Sequence, residues 1–349
     1  MMVANLLLLG SEAGYMNAYF RDYYMSKFFR KSYESLKPDM LLVLGDVSAK
    51  GHELTKSKWS SVLHQFQRML GPFLGLPFHV ILGDRDAGEC GGLNAKSVNW
   101  IASSFPGLDS AGCGAFEISN ISFVSLNAVA LLCGNNDLRF SVEKVIEREN
   151  VDLQMDTEDT IEAINDSSKF KEASHNFGWR RNAMVSGSGP VLLLHFPLHQ
   201  TGNSNCRGGS ALIGTSNNAI GSSKTIVSGG LSRTGPYELL HTIPPNATEY
   251  IFQALRPRIV FSAHTHEFCV HTHSDGTREV TVPAMTWDAR DDPGFVVATF
   301  RRNRRVVTVS YCSLARESHL LIAYISVLIL LMSIILVANT SCRTCLRRR

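Results

Sequence analysis

Several short apolar runs in this chain end in clusters of Asp and His, and that pairing constrains the fold more than any other feature. Met40–Leu44 runs into Gly45-Asp46, and Phe78–Leu82 into Gly83-Asp84-Arg85-Asp86. Gly189–Leu194 runs into His195-Phe196-Pro197-Leu198-His199, and Arg258–Ser262 into Ala263-His264-Thr265-His266. Short, continuous apolar runs bounded by turn residues read as strands buried on both faces. Between them, Phe20–Leu36, Trp59–Leu70, Ser97–Phe105 and Asn246–Leu255 carry helical patterns, with Asn246 as a candidate cap. Strands separated by helices give an α/β layered core, and open α/β sheets place ligands at the C-terminal ends of their strands. Asp and His gathered there are donors for a hard-to-borderline metal ion, whereas scattered surface residues would show no such order. Gly45 and Gly83 give the sharp strand-to-loop turns room beside an ion.

The rest of the core reads in the same terms. Val3–Leu9 is a further buried strand, and Phe116–Ile118 and Ser122–Leu126 are strands around a turn at Ser119-Asn120. Glu279–Val282, Gly294–Phe300 and Val306–Tyr311 alternate as antiparallel strands closing a second sheet. Residues 133–186 form a charge-rich excursion, acidic from Glu147 to Asp166, and 201–223 a Gly/Ser/Asn loop long enough to be functional.

A second constraint is Leu320–Ala338, 19 residues without a charge. At about 1.5 Å per residue this reaches roughly the 30 Å hydrocarbon thickness of a bilayer, and too little chain follows to bury it in a core. The expected organisation is a globular domain over 1–312, a linker over 313–319, a transmembrane helix over 320–338 and a basic tail over 339–349. Arg residues flank the span on both sides, so the positive-inside count does not orient it. Met1 runs directly into an apolar stretch without a basic n-region or cleavage site. A chain opening inside its first core strand points to a shortened start, which would put the body in the ER or Golgi lumen; taken literally, it is a tail-anchored protein with a cytosolic body. Cys90, Cys113, Cys133, Cys206, Cys269 and Cys312 could pair in 15 ways in a lumenal body, or remain free thiols. Cys342 and Cys345 suit S-palmitoylation, and Asn120, Asn165 and Asn246 head N-glycosylation acceptors. Hydrophobic residues at 44% and charged residues at 19% exclude wholesale disorder. A net charge of +3 without a basic block leaves no nucleic-acid footprint.

The order and spacing of these clusters resemble the calcineurin-like metallophosphoesterases, whose pattern is D-x-H, G-D, G-N-H-D/E, a lone His and G-H-x-H. LGDVSAKG, HFPLH, FSAHTHEFC, VPAMTW and the terminal span are most similar to the membrane-anchored branch, which includes the enzyme that removes ethanolamine-phosphate from the GPI-anchor glycan. The resemblance implies a four-layer core, two mixed β-sheets flanked by helices, with one C-terminal transmembrane helix. It also implies a dinuclear site, often manganese, hydrolysing a phosphodiester on a lipid-linked substrate in the bilayer.

Carried over by position, the second metal site would use Asp46, Asp84, His195 and His264, with Asp84 in place of the family's amide. The first would use Asp46, His266 and the D-x-H pair, which falls on Asn5 and Leu7. Leu7 offers no lone pair and Asn5 only a neutral carbonyl, so one well-held metal and a weakened partner position are expected, with His199 or Asp86 as spare ligands. Arg85 stands where the family has the His that protonates the leaving group. Arginine does not release its proton near neutral pH but can clamp phosphate bidentately. The expected catalytic groups are thus Arg85, Asp86 and His199, with His52 a further proton-donor candidate. The rival reading is a pseudoenzyme or trafficking scaffold that keeps the fold and one metal. His271 and His273 read as a solvated strand edge, Asp288, Asp291 and Asp292 as a polar turn, and Tyr15, Tyr19, Tyr23 and Tyr24 as helix packing.

Overall fold

The computed structural model describes residues 1–134, 137–163, 189–199, 241–300 and 307–347. The first sheet combines β1 (Met2–Val3), β2 (Leu41–Leu44), β3 (Phe78–Ile81), β10 (Gly294–Phe300) and β11 (Val307–Ser313) in the order β11-β10-β1-β2-β3. The second contains β4 (Gly114–Ile118), β5 (Ile121–Ser125), β6 (Val191–Leu193), β7 (Ile259–Ser262), β8 (Cys269–Thr272) and β9 (Arg278–Thr281) in the order β4-β5-β6-β7-β9-β8. β1, β2 and β3 are mutually parallel, as are β5, β6, β7 and β9, while β10, β11, β4 and β8 pair antiparallel. Helices α1 (Asp22–Leu36) and α2 (Lys56–Leu70) cover the first sheet. The short α3 (Asp84–Ala87) and α4 (Ala95–Ala102) follow β3, and α5 (Ala128–Leu132), α6 (Asp137–Ala163) and α7 (Pro245–Leu255) cover the second sheet. α8 (Glu317–Arg347) extends from the end of β11, and its Glu317–Asn339 part, with mean hydropathy 3.0, is apolar enough to cross a membrane.

Period-two alternation makes this layering. Leu41 and Val43 pack with Phe29, Trp59 and Phe66 under the helices, while Leu42 and Leu44 meet Val191, Leu193 and Phe261 between the sheets. Burial on both faces explains why these strands read as unbroken apolar runs. His79 of β3 is a polar tie across the inter-sheet layer. Its Nε2 lies 2.8 Å from Ser125 Oγ on β5, and because Ser125 spends its proton on the Gly114 carbonyl, His79 is the donor.

Several expectations need correction. Val3–Leu9 is not a strand beyond Val3, because Asn5 and Leu7 take left-handed φ values of 51° and 52°, which break the alternation. β10 and β11 extend the first sheet, while β9 lies in the second. Asn246 is not the cap of α7, since the tandem prolines set its start with Pro244 at the cap position. His273 is not on a solvated edge: it is buried, 2.8 Å from Glu279 Oε2, and Glu279 Oε1 accepts from the Leu198 backbone amide. Tyr15, Tyr19 and Tyr23 are exposed rather than packed. Cys90 pairs with Cys133, Cys269 is also disulfide-bonded, and Cys113 and Cys312 are free. The 201–223 loop, Cys206, Asn165 and most of the excursion after residue 163 lie outside the described residues.

Burial lowers the His79 pKa from 6.5 to about 4. The unfolded chain therefore takes up a proton that the native core refuses, and stability falls as pH drops from about 6.5 to about 4, by up to about 3 kcal/mol from this residue. Urea titrations across that window should show a shallower loss in His79→Gln than in the parent; an unchanged slope would contradict the assignment.

Candidate metal centre

Both sheets present the C-terminal ends of parallel strands to one edge. Asp46 follows β2 and Asp84 opens α3 after β3, while His195 follows β6 and His264 follows β7. The ligand atoms of Asp84, His195 and His264 lie within 4.8 Å of one another. Asp84 Oδ1 is 3.0 Å from His195 Nε2 and 3.2 Å from His264 Nδ1. Asp46 Oδ2 is 3.7 Å from His195 Nε2, and its Oδ1 accepts from the Arg85 amide at 3.1 Å.

The backbone makes this convergence possible. Asp46, His264 and His266 have φ values of 45°, 62° and 62°, a left-handed conformation rare outside glycine and costing on the order of 1–2 kcal/mol each. The two glycines admit no side chain: a Cβ on Gly45 would sit 2.3 Å from His195 Nδ1, and one on Gly83 would sit 2.1 Å from Asp46 Oδ1. His195 Nδ1 is 2.7 Å from the Leu44 carbonyl, which can only accept, so Nδ1 carries a proton and Nε2 is the nitrogen that faces Asp84.

Electrostatics describe a site built for positive charge. Burial disfavours the His195 imidazolium, yet Asp46 and Asp84 together raise its pKa to about 9. Burial also opposes ionisation of Asp84, but hydrogen bonds from His195 and His264 hold its carboxyl well below the usual carboxylate range. Burial pushes Asp46 up to about 6, with His195 opposing and Asp84 reinforcing the shift. A proton on His195 thus occupies the place a cation would take, and one carboxylate and two imidazoles with Asp46 alongside fit a divalent metal.

The neighbouring position is different. Asn5 and Leu7 keep the left-handed loop, held by Asn5 N to Gly45 O at 2.9 Å and Leu7 N to Asp46 O at 3.0 Å. Leu7 brings no donor to it. The Asn5 side chain is fully buried, and neither its nitrogen nor its oxygen has a hydrogen-bond partner among the described residues. Such an orphan amide costs on the order of 1–3 kcal/mol unless water or another group meets it. His266 is half-buried and its pKa is lowered to about 4, first by burial and then by His264, Arg85 and His195, so it stays neutral with a lone pair to offer. The exposed Arg85 guanidinium reaches within 3.7 Å of Asp46 Oδ2.

The remaining expected residues take other places. Asp86 accepts from the amides of Val47, Ser48 and Gly83 at 3.0, 2.9 and 3.3 Å and staples the loops after β2 and β3, so it supports the site rather than serving as a spare ligand. Burial, and then Asp46, push its carboxyl up to about 7 against those amides. His199 has its backbone amide on Thr248 Oγ1 at 3.0 Å, and no contact among the described residues ties its ring to the Asp84 group. His52 Nδ1 lies 3.2 Å from the Arg85 carbonyl. One residue escaped sequence reasoning: His241 Nδ1 is 3.1 Å from His264 Nε2, a partner that orients the His264 ring. It ends no strand and belongs to no motif, so no local signal marks it.

A family model described as calcineurin-like phosphoesterase matches residues 18–268. The chain belongs to the calcineurin-like phosphoesterase family. Among curated proteins, Metallophosphoesterase 1 of Rattus norvegicus is 26% identical over 338 residues, covering 96% of this chain and 77% of the relative. The Metallophosphoesterase 1 homolog of Drosophila melanogaster is 23% identical over 356 residues, covering 100% and 83%. A solved dimetal phosphatase from Danio rerio is 13% identical with a TM-score of 0.48, covering 90% of this chain and 98% of that one. Membership in the calcineurin-like phosphoesterase family implies divalent metal binding, and in this member Asp84, His195 and His264 form the cluster able to provide it.

Gly83→Ala should displace Asp46 while leaving the strands intact. Calorimetric titration with Mn²⁺ should show affinity weakened by roughly 10- to 100-fold, as for other losses of ligand support, with unchanged far-UV circular dichroism. Parental affinity in the variant would contradict the geometry.

Proposed function

We propose that the protein is a metal-dependent phosphoesterase with one principal cation, Mn²⁺ or a metal of similar chemistry, held by Asp84, His195 and His264 with Asp46 alongside. The observation that carries the reading is the convergence of Asp84, His195 and His264, from both sheets, with ligand atoms within 4.8 Å of one another. A divalent cation there supplies Lewis-acid polarisation of a phosphoryl oxygen and activation of water. His195 presents Nε2 because Leu44 holds its other nitrogen, and His241 does the same for His264. Arg85 supplies fixed positive charge near Asp46, where Leu7 removes a ligand, and its guanidinium binds a substrate phosphate and neutralises charge developing on it. Arg85 cannot donate a proton, so the leaving group must draw one from another side chain or from water, and without a positioned acid turnover is lower by roughly 10²–10⁴.

The substrate we propose is a phosphodiester on a membrane-resident glycolipid, ethanolamine-phosphate on a GPI-type glycan being the form suggested by the resemblance. The apolar α8 supports a bilayer-confined substrate. The Cys90–Cys133 bond and the exposed Asn120 and Asn246 acceptors support a lumenal ER or Golgi body. The orphaned Asn5 amide and Leu7 favour a second reading, a scaffold that keeps the metal and has lost hydrolysis.

Hydrolysis of bis-p-nitrophenyl phosphate under Mn²⁺ titration separates the two readings. The phosphoesterase reading expects metal-dependent activity that His264→Ala abolishes; no hydrolysis with any divalent ion, while one equivalent still binds, supports the scaffold. The double variant Asn5→Asp, Leu7→His should bind a second equivalent and turn over faster; an unchanged stoichiometry would show that these residues do not set metal number.

A further inference from the structure

Outside the metal centre, an aromatic surface on the N-terminal segment stands without a partner among the described residues. Tyr15, Tyr19 and Tyr23 are 77%, 71% and 58% exposed, and Met16 beside them is half exposed. They are spaced by four along the π-helical turn Met16–Arg21 and the start of α1, and the rings of Tyr15 and Tyr19 stand 5.0 Å apart. Three neighbouring tyrosines bared to water are costly without a partner, since each ring is a large apolar surface.

The neighbouring face of the same segment shows where the partner lies. Phe20 and Tyr24 pack on Trp287 at ring separations of 5.7 and 5.6 Å, and Trp287 Nε1 donates to the Ala315 carbonyl just before α8. Phe20 also meets Tyr324 of α8, and the hydroxyls of Tyr24 and Tyr324 are 2.5 Å apart. Arg21 bonds Glu317 at the first turn of α8 through two nitrogens, at 3.0 and 3.3 Å, and pairs with Asp288. The segment is therefore riveted to the outer end of the apolar helix. Tyr324 lies four residues past Leu320, where the apolar run begins, or about 6 Å along the axis. That depth is the headgroup boundary, where amphipathic rings collect in membrane proteins. Lys27, whose ammonium stands 5.7 Å from the Tyr23 ring, adds a cation at the same level.

We propose that Tyr15, Tyr19 and Tyr23 form an interfacial foot seated in the headgroup layer of the bilayer that α8 crosses. The proposal rests on α8 spanning that bilayer. With α8 it gives the body two attachments to the membrane, which fix its tilt. Leu7, whose amide is bonded to the Asp46 carbonyl, shares a small cavity with Asn17, Arg21 and Asp288, so the segment that carries the foot packs beside the metal loops, and seating it in the headgroup layer holds those loops near the lipid surface. A phosphodiester carried by a lipid is presented at that level, and a freely dissolved one is not.

The test uses the full chain in phosphatidylcholine nanodiscs with photoreactive p-benzoylphenylalanine placed, one at a time, at Tyr15, Tyr19, Tyr23, Ile325 of α8 and the exposed Phe140 of α6. Irradiation should give phospholipid adducts at the three tyrosine positions comparable to those at Ile325 and several-fold above those at Phe140. Adducts at Ile325 with only background at all three tyrosines would overturn the foot while leaving the span intact. Cross-links from the tyrosine positions to a protein chain in place of lipid would overturn it as well. Absence of lipid adducts at Ile325 would refute the span, and the foot with it.

Discussion

The carboxylate of Asp84 is the chemical junction between the two sheets. It leaves the end of β3 in the first sheet and is met by imidazoles from the ends of β6 and β7 in the second. Without those partners a half-buried carboxylate beside Asp46 would repel its neighbour, and without Asp84 the imidazoles would lose the charge that gathers them. The left-handed turns, the glycines at 45 and 83 and the Asp86 staple all serve to hold this meeting point, and each is costly in isolation. Backbone strain concentrated in this way is characteristic of a functional edge rather than of a packing core.

The same logic accounts for the altered half of the site. Leu7 takes a left-handed backbone although its side chain offers no lone pair, and the loop is anchored through its amides to Gly45 and Asp46. Positive charge at this edge comes from the Arg85 guanidinium beside Asp46, a group whose planar fork suits a phosphate and which holds its proton.

Much of this was legible in the sequence because strands buried on both faces leave unbroken apolar runs, and the residue that ends each run lies at the ligand edge. Asp46, Asp84, His195 and His264 could be found by that rule. What stayed hidden has physical causes. An apolar stretch such as Val3–Leu9 reads alike whether it is pleated or coiled left-handed around a loop. Alternation in Gly294–Phe300 identifies a strand but not the sheet it joins. Asp86 looks like a ligand until its amide partners are seen, and His241 acts only because the fold brings it beside His264. That Tyr15 and Tyr19 are exposed while Phe20 and Tyr24 of the same segment pack on Trp287 is decided by tertiary packing, which no local pattern records.

That Asp84, His195 and His264, from two sheets, hold one principal cation with Asp46 alongside is tested most directly by anomalous diffraction at the manganese edge from crystals grown with excess Mn²⁺. The account predicts a single strong peak within coordination distance of Asp84, His195 Nε2 and His264 Nδ1. Two peaks of equal height, the second beside Leu7, or no peak among these side chains would contradict it.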